Sequence, residues 1–429
     1  MSDFDLPGWL QRAQVQGIKL GLDNMHAALD ALDRPQRRYP VLLVGGTNGK
    51  GSVVAMCEAM LRAQGLRVGA TISPHLSSFR ERFRVDGRSI EQAELVQVAR
   101  SVAEVIDDDP DCTEITLFEL GIVLALQWFA LREVDCAVVE VGMGGEFDAT
   151  RAAEPLVAAL VSVDLDHERH LGPTVADIAR TKARVAEAGM PVVVGERRSD
   201  RLDPILEELL RAHASPILAG RDFDLAPGAD GLLFTGLERH IAGLHLGLRG
   251  AHQRGNAAVA VASAITFAQR AGLGPLTDDA VRRGLADAFV PGRLEEVALD
   301  TGVPALLDGA HNGAGARALA DALQLRAPRR RVWLFASMED KDRRPMYEAL
   351  VPHVHEVWCC KGSSTPRFAD PADLVQELEA WPVRATNVGT PEAGLRLAAA
   401  QLGPEDELLI AGSLYLIGDV RPLLGLPAP

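Results

Sequence analysis

The chain has 429 residues, 47% of which are hydrophobic, and its mean hydropathy is close to zero. Such a length is typical of two or three domains with substantial buried cores. The formal net charge of −15 and the pI of about 5.2 argue against nucleic acid or an anionic membrane as the main partner.

Cysteine usage and hydropathy narrow the class of protein further. The five cysteines have no spacing typical of a metal site. No signal peptide is recognisable, and no run approaches the roughly 18 apolar residues that indicate a membrane span. We therefore expect a cytoplasmic protein with reduced thiols, no membrane partner and a monomeric state.

Residues 1–40 have the pattern of a helical lead-in, and residues 41–64 then form the segment around which the chain is organised. The apolar run from Val41 to Val44 predicts a buried strand. Apolar residues recur at helical spacing from Val53, and Gly65 is typical of a helix end. Between strand and helix lie the residues predicted to bind phosphate: Gly46, Thr47, Asn48, Gly49, Lys50, Gly51 and Ser52.

This strand, loop and helix together predict a phosphate site. Backbone amides and the positive end of the helix converge on one point, and small side chains let an anion approach the backbone. Lys50 adds a full charge, and Ser52 offers a hydroxyl to a metal ion. The loop differs from the general P-loop pattern at Val44 and Gly51. The alternative, a glycine-rich turn without a ligand, leaves the lone lysine without a role.

Buried strands and amphipathic helices alternate along the next part of the chain. The predicted strands are residues 67–73, 135–142, 156–167 and 191–195, and the predicted helices are residues 91–106, a segment that opens at Thr116, and residues 175–188. The alternation predicts a parallel sheet covered on both faces, with ligands at the carboxyl ends of its strands. Polar residues cluster at those ends: Lys50, Ser73, Glu140, Asp164, Asp166 and His167.

A change of pattern separates a second domain from the first. Residues 221–249 contain short alternating runs typical of small hairpins, and residues 251–272 predict a long helix. After a hinge at residues 290–293, strands are predicted at 304–312, 331–338, 356–363 and 407–413. The predicted fold class is α/β, with a P-loop-type parallel-sheet domain and a small hairpin insertion over 1–292, and a Rossmann-like α/β domain over 293–429.

Four residues of the first domain are candidates for one metal site, namely Ser73, Glu140, His167 and Lys182. Carboxylate and hydroxyl oxygens beside a phosphate site suit Mg²⁺. Because a histidine nitrogen is an unusual Mg²⁺ ligand, Mn²⁺ is the expected substitute. Any one of these residues could equally cap a strand or satisfy a loop, whereas their joint position at successive strand ends favours the metal.

Further polar residues could contact a nucleotide. Asp308 follows a strand and could hold ribose hydroxyls, and His311 could meet the nucleotide. Arg293 at the hinge could bind phosphate oxygens bidentately, and Asn256 could read an adenine edge. Arg82, in the arginine-rich segment 79–84, is expected to contact the substrate. For each of these residues the alternative is a solvated loop position.

The ordered motifs of the chain resemble those of the folylpolyglutamate synthase/dihydrofolate synthase family, in the Mur ligase superfamily. They are GTNGKGS (46–52), SPHL (73–76), TLFE (116–119), EVGMGG with DAT (140–150), DHERHLG (166–172), PGRLE (291–295), LDGAHN (307–312), MEDKD (338–342) and GSLYLIGDVR (412–421). The resemblance spans nearly the whole chain.

The resemblance implies roles for individual residues. Ser73, Glu140 and His167 would be Mg²⁺ ligands, and Lys182 would correspond to a lysine that is carbamylated in family members. The residues implied for ATP binding are those of the loop 46–52 together with Asn256, Arg293, Asp308 and His311. Asp148 and Ala149 would lie near the pterin-bearing substrate. Lys50, His167 and Lys182 are expected to be catalytic.

The chain departs from the family's motifs beside the expected substrate wall. Glu146 stands where the family usually has arginine, and Arg151 stands where it usually has asparagine. Arg184 replaces a glycine after the lysine and alanine, and Gly313 replaces a frequent proline. These departures leave the nucleotide and metal residues in place and concern the acid that the protein would accept.

The expected reaction is amide formation driven by ATP. A carboxylate is a poor electrophile, so the acid would first be phosphorylated to an acyl phosphate, which the amine of L-glutamate would then attack. The expected acids are dihydropteroate, reduced folates or both. The alternatives are a superfamily ligase for another acid and amine, motivated by Glu146 and Arg151, and an ATP-binding regulator without catalysis.

Overall fold

The computed structural model describes residues 4–14, 21–107, 109, 112, 114–166 and 168–427. The chain divides into two compact units. The first consists of Met1–His75, Phe79–Gly247 and Gln253–Phe289, and the second of Leu76–Ser78, Leu248–His252 and Val290–Pro429. In the described part of the chain, no helix combines the length and hydrophobicity needed to cross a bilayer.

The first unit contains an eight-stranded sheet and a three-stranded sheet. Their strands are β1 Val41–Gly45, β2 Val68–Thr71, β3 Arg84–Val85, β4 Arg88–Ser89, β5 Cys136–Glu140, β6 Val157–Leu160, β7 Pro191–Val194, β8 Ser215–Leu218, β9 Phe223–Pro227, β10 Leu232–Gly236 and β11 Arg239–Leu244. In the larger sheet the order is β4-β3-β2-β5-β1-β6-β7-β8. The neighbouring strands β2, β5, β1, β6, β7 and β8 are parallel to one another. At one edge, β3 pairs antiparallel with β2 and forms a hairpin with β4.

The helices of the first unit cover both faces of its large sheet, as expected where β1 and β5 are completely buried. They are α1 Leu6–Gln14, α2 Asp23–Ala31, α3 Lys50–Ala63, α4 Gln92–Ile106, α5 Leu117–Leu131, α6 Glu168–Leu171, α7 Val175–Ala183, α8 Ser199–Arg211, α9 His252–Arg270 and α10 Asp278–Asp287. Thr116 opens α5 with a capping box, in which its hydroxyl accepts from the Glu119 N–H and the Glu119 carboxylate accepts in return. The predicted helix start at Thr116 is thereby confirmed.

The small antiparallel sheet β9–β11 confirms the predicted hairpin insertion. Two other predictions were too long. The strand predicted at 156–167 ends at Leu160, because from Ser162 onwards the chain makes hydrogen bonds to the glycine loop. The helix predicted at 175–188 ends at Ala183, after which the carbonyls of residues 184–186 accept hydrogen bonds from the Arg151 side chain.

The second unit is a six-stranded sheet between helices, as the Rossmann-like prediction required. Its elements are β12 Glu295–Ala298, β13 Pro304–Asp308, α11 Gly313–Gln324, β14 Arg331–Phe335, α12 Arg344–Leu350, β15 Glu356–Cys360, α13 Pro371–Leu378, β16 Arg384–Gly389, α14 Pro391–Gln401, β17 Glu407–Ala411 and α15 Leu414–Leu423. The strand order is β12-β13-β17-β14-β15-β16, with only β12 antiparallel to its neighbour. The edge strands β12 and β16 were not predicted.

A short segment after Ser73 belongs to the second unit, although the sequence places it within the first. Residues 76–78 pack against α15, and a Cβ at Gly418 would overlap the backbone oxygen of Leu76. Glycine at 418 is therefore what lets the segment lie directly on the helix.

Candidate active site

The glycine loop between β1 and α3 is the centre of the candidate site. Gly46 (φ +136°) and Gly49 (φ +87°) have left-handed backbone conformations that favour glycine. A Cβ at Gly49 would lie 2.5 Å from the Asn256 Oδ1 and 2.9 Å from the side chain of Val161. The Thr47 N–H donates to the Ser162 carbonyl over 2.6 Å. The loop is therefore held in one conformation by residues that follow β6 and by α9.

Two lysines meet at one carbonyl of this loop. The Lys50 Nζ donates to the carbonyls of Gly46 and Thr47, each over 3.2 Å. The Lys182 Nζ, carried by α7, donates to the same Gly46 carbonyl over 3.0 Å. Burial, and next the charge of Lys50, lowers the pKa of Lys182 to about 7, against the opposing effects of Asp166 and Asp148. The fold thus places Lys182 at the phosphate loop, and its role at a metal stays a prediction.

Glu140 and Ser73 lie together at the carboxyl ends of adjacent parallel strands. The Ser73 N–H donates to the Glu140 Oε2 over 3.2 Å, and a Cβ at Gly51 would lie 3.7 Å from the same oxygen. Glu140 is 6% exposed. A carboxylate and a hydroxyl beside a phosphate loop fit the oxygen preference of Mg²⁺.

The third predicted metal ligand, His167, lies outside the described residues. Among the residues described, no group of three or more histidine, cysteine, aspartate or glutamate side chains is arranged to hold a metal ion. The oxygen pair Glu140 and Ser73 is therefore the part of the predicted metal site that the structure brings together.

Asp164, which the sequence placed among the strand-end polar residues, anchors the loop that follows β6. Its backbone N–H and carbonyl both hydrogen-bond to the Thr47 hydroxyl over 3.1 Å. Its carboxylate lies 3.5 Å from a nitrogen of Arg198 and 3.6 Å from a nitrogen of Arg201. Asp164 thus connects the phosphate loop to two arginines that the sequence reasoning did not select.

Asn256 and Gln253 lie against the glycine loop. The Asn256 Nδ2 donates to the Gln253 Oε1 over 2.9 Å, and the Gln253 Nε2 donates to the Ser52 hydroxyl over 3.3 Å. Gln253 is 1% exposed, so this chain of hydrogen bonds fixes the Ser52 hydroxyl from the buried side of the loop. A role for Asn256 in reading adenine stays a prediction.

The buried carboxylate of Asp148 stabilises the loop after β5 by accepting backbone hydrogen bonds. It accepts from the Met143 N–H over 2.6 Å and from the Thr150 N–H over 3.0 Å. Burial raises the pKa of Asp148, while these hydrogen bonds lower it. Ala149 is also buried. The two residues predicted beside the substrate therefore hold the loop in shape, and contact with a substrate stays a prediction.

The unusual residues of this loop pair with one another and with their neighbours. Glu146 lies 3.5 Å from Arg184, which in turn lies 3.5 Å from Glu208. Arg151 donates to the Val185 carbonyl over 2.7 Å and to the Glu187 carboxylate over 2.6 Å. The departures at positions 146, 151 and 184 are thus parts of one joint between the loop and the end of α7.

Gly145 allows this joint to close, because a Cβ at that position would overlap the backbone oxygen of Thr181. We expect Gly145→Ala to lower the free energy of unfolding by about 1–3 kcal/mol, as overpacking against backbone does. Urea denaturation followed by circular dichroism measures the change. The matched control is Gly255→Ala on α9, where no atom lies within 4 Å of the added Cβ. There we expect a gain of about 0.5–1 kcal/mol, and equal losses in the two variants would contradict the overlap.

Arg82 is fixed rather than solvated. Its Nε donates to the His75 Nδ1 over 2.9 Å, and its guanidinium lies 5.5 Å from the centre of the Phe79 ring. Burial, and then the charge of Arg82, lowers the pKa of His75 to about 4, so His75 is neutral near pH 7. The neighbouring Glu81 is 2% exposed. Of the two alternatives for residues 79–84, a solvated loop or a hairpin, the structure has the second, since these residues form a packed 3₁₀ turn and the first strand of a hairpin.

The second unit holds its own cluster of predicted residues. The Asp308 carboxylate accepts from the Leu294 and Ala310 N–H groups, each over 2.9 Å, and burial raises its pKa against the opposing charge of Arg293. The His311 Nδ1 lies 2.9 Å from the Gly309 carbonyl. Burial lowers the pKa of His252, with opposing effects from the charges of Asp308, which raises it, and Arg293, which lowers it, so His252 belongs to the same electrostatic cluster. The sequence reasoning missed His252, although it lies only four residues before the selected Asn256.

A family model described as Mur ligase, glutamate ligase domain, matches residues 292–414. The dihydrofolate synthase/folylpolyglutamate synthase of Bacillus subtilis is 31% identical to the chain over 434 residues, with 98% of each sequence covered. A probable bifunctional folylpolyglutamate synthase/dihydropteroate synthase of Haloferax volcanii is 36% identical over 427 residues. The aligned residues cover 96% of the chain, but the chain spans only about half, 49%, of the length of that relative.

Solved structures match the chain over nearly its full length. Escherichia coli FolC in complex with DHPP and ADP has a TM-score of 0.88 at 27% identity, covering 98% of this chain and 97% of that one. A bifunctional folylpolyglutamate synthase/dihydrofolate synthase with Mn, AMPPNP and L-glutamate bound has a TM-score of 0.86 at 30% identity, covering 98% of both chains.

Proposed function

The chain belongs to the folylpolyglutamate synthase/dihydrofolate synthase family of ATP-dependent glutamate ligases, and we propose that it joins L-glutamate to dihydropteroate, to reduced folates, or to both. The observation that carries this proposal is the convergence of Lys50, Lys182 and Glu140 on the glycine loop at the carboxyl ends of parallel strands. The similar structure that contains AMPPNP, Mn and L-glutamate supports it.

The reaction we propose has two steps. An oxygen of the substrate carboxylate attacks the γ-phosphorus of ATP, and the bond between that phosphorus and the β,γ-bridging oxygen breaks. The products of this step are ADP and the acyl phosphate of the substrate. The neutral amine of L-glutamate then attacks the acyl carbon, phosphate departs, and the nitrogen loses a proton as the amide forms. The loop amides and Lys50 stabilise the negative charge of the phosphoryl group that is transferred.

Lys50 is poised for this role because it is already inside the loop. Its ammonium group donates to the carbonyls of Gly46 and Thr47. Because these carbonyls belong to the loop itself, the ammonium group can exchange them for the oxygens of a bound phosphate with only a small movement. Asn256, Arg293, Asp308 and His311 are proposed to bind the remainder of the nucleotide.

Mg²⁺ is the proposed metal, with Mn²⁺ as a substitute, and Glu140, Ser73 and His167 would hold it. When bound, the ion would neutralise charge on the phosphate oxygens. The residues of the chain provide the rest of the site: Glu140 presents a buried carboxylate, and the Ser73 N–H keeps that carboxylate oriented. The predicted ligand His167 is outside the described residues.

Lys182 is proposed to act as a carbamate. A buried amine whose pKa lies near 7 is partly neutral at physiological pH, and only the neutral amine can add carbon dioxide. The resulting carbamate would be an anion beside Lys50 and would replace one of two crowded cations. The change of charge gives Lys182 a role that an unmodified lysine could not have at a metal.

We expect Lys182→Ala to lower kcat by about 100-fold or more, the effect of losing a charged group at a phosphoryl-transfer site. Acetate or formate added to this variant should restore part of the activity, because a small carboxylate can occupy the space of the carbamate. Steady-state assays with and without 50–100 mM of the additive, roughly the range needed for a weak small-molecule site, measure the rescue. Rescue by methylamine but not by acetate would contradict the carbamate role.

The acid is proposed to be pterin-bearing, with Arg82, Asp148 and Ala149 near it. The case for a different acid and amine rested on Glu146 and Arg151. Because both residues pair within the joint between the loop and α7, their chemistry is explained locally. No observation in the described part of the chain therefore favours another substrate pair.

Product analysis tests the proposal. Purified protein is incubated with ATP, MgCl₂, dihydropteroate or tetrahydrofolate, and L-glutamate, with each component omitted in turn. We expect ADP and phosphate in equal amounts with the amide, and formation of both to depend on the acid. Formation of AMP and pyrophosphate would overturn the acyl-phosphate route, and amide formation only with another acid would overturn the substrate assignment.

A further inference from the structure

A basic cavity of about 290 Å³ lies in the second unit, where the parallel strands β14 and β15 begin. Its lining comes from the segment before β14 and from the segment before β15. Asp308 is at the carboxyl end of β13, in the same sheet. Since β13, β14 and β15 run in one direction, the cavity is at the opposite edge of the sheet from Asp308. It is therefore separate from Asp308, the residue of this sheet proposed to bind the nucleotide.

The side chains that line this cavity are basic or uncharged. They include Arg326, Arg329, Arg331, His353 and His355, and no aspartate or glutamate. Glu407 pairs with Arg331, and Glu407 and Glu296 pair with Arg326. The charge that the cavity offers to an anion is therefore chiefly that of Arg329, whose Nη1 donates to the Pro404 carbonyl over 2.9 Å. Such a cavity attracts small anions from solution.

Acidic residues outside the lining fix the positions of two of the arginine side chains. Arg331 is 5% exposed, its Nε donates to Glu407 over 2.6 Å, and its Nη1 donates to the His353 carbonyl over 3.0 Å. Arg326 donates to the same Glu407 over 2.7 Å and to Glu296 over 2.5 Å. These acids lie outside the lining and fix the guanidinium groups at the cavity wall.

The two histidines contribute hydrogen-bonding ring nitrogens to the lining. The pKa of His353 is lowered, first by burial and next by the charge of Arg331, against the opposing effect of Asp321. The Nδ1 of His355 accepts the Arg331 N–H over 3.0 Å. The Nε2 of His355 therefore carries the ring proton and is a donor.

We propose that this cavity binds a small phosphate-bearing anion, either free phosphate or the terminal group of a small ester. Guanidinium groups bind phosphate oxygens through paired charge-assisted hydrogen bonds. Donors are supplied by Arg329 on one segment and by His355 on the other. A tetrahedral dianion can accept from both sides at once, and the volume of about 290 Å³ is at the lower end of the range for small-molecule pockets.

The test measures phosphate binding to the full chain by isothermal titration calorimetry, at constant ionic strength set with chloride. Lys50→Ala serves as the background, because it removes the main phosphate-binding cation of the glycine loop. In this background we add Arg329→Gln or His355→Gln, which alter exposed side chains. The matched control is Arg396→Gln, an exposed arginine of α14 that pairs with Glu392.

We expect Lys50→Ala to bind one phosphate, and Arg329→Gln and His355→Gln each to weaken binding by about tenfold, as for a lost charge-assisted hydrogen bond. Arg396→Gln should leave the affinity unchanged. A parallel titration with glycerol 3-phosphate identifies the source: tighter binding of the ester supports an ester ligand, and tighter binding of phosphate supports the free ion. Absence of saturable binding in Lys50→Ala, or equal binding in all four variants, would overturn the proposal.

Discussion

Lys50→Ala is expected to lower kcat for ATP-dependent glutamate ligation by about 1000-fold, with the fold intact. Lys50 is the cation of the glycine loop, and its Nζ is already within hydrogen-bond distance of two loop carbonyls. Removal of a cation that stabilises charge at the transferred phosphoryl group costs about two to three orders of magnitude in rate. The measurement is initial-rate release of ADP with saturating acid and L-glutamate.

The matched control for Lys50 is Arg62→Ala, which removes an exposed cation from the last turn of the same helix α3. Its kcat should stay within about twofold of that of the unaltered chain, since surface substitutions away from a site have small effects. Thermal unfolding should be similar in both variants. A Lys50→Ala protein that folds and keeps more than a tenth of its kcat would show that the loop is not the phosphoryl-transfer site.

Glu140→Gln is expected to raise the Mg²⁺ concentration for half-maximal activity by at least about tenfold, because the charge count of the oxygen ligands sets the affinity for hard cations. The kcat at saturating metal should also fall, by about 100-fold. The amide oxygen of glutamine can still accept the Ser73 N–H, so the local structure should be retained. Activity measured across a range of Mg²⁺ and Mn²⁺ concentrations gives both quantities.

Glu133→Gln is the matched control for Glu140, since it removes an exposed carboxylate just before the other end of β5. Its metal dependence should be that of the unaltered chain. If Glu140→Gln responded to metal as this control does, Glu140 would be excluded as a ligand. A loss of thermal stability limited to Glu140→Gln would assign the carboxylate a structural role instead.

The fold was predictable where one local pattern determined one element. The glycine loop follows a buried strand and precedes a helical pattern, and the structure has β1, the loop and α3 at those positions. Strand ends were harder to predict. The apolar run after Leu160 looks like more strand, yet the Ser162 carbonyl accepts from the Thr47 N–H and the Ser162 hydroxyl donates to the Asn48 carbonyl. Tertiary hydrogen bonds to the loop, which the sequence does not display, end the strand.

Edge strands were missed for a related physical reason. β16 is partly exposed, and its residues Arg384 to Gly389 lack a continuous apolar run. Its pairing with β15 is set by the sheet and not by local pattern. β12 is likewise short and contains two adjacent glutamates, Glu295 and Glu296, whose arginine partners Arg421 and Arg326 are distant in sequence.

The candidate site was predictable to the extent that parallel strands bring their carboxyl ends to one edge of the sheet. That rule placed Ser73 and Glu140 side by side, as the structure has them. It could not show that Lys182 contacts the Gly46 carbonyl, because the position of α7 depends on packing. Nor could it show that Asp148 is buried or that Arg151 holds the end of α7, since both depend on loop geometry.

The central claim is that the glycine loop and Glu140 hold the triphosphate and its metal. Its most direct test is a crystal structure of the full chain with AMPPNP and Mn²⁺, in which anomalous scattering locates the metal. We expect the triphosphate along residues 46–52 and an anomalous peak within ligand distance, about 2.2 Å, of an oxygen of Glu140. A triphosphate elsewhere, or a metal ion remote from both Glu140 and Ser73, would contradict the account.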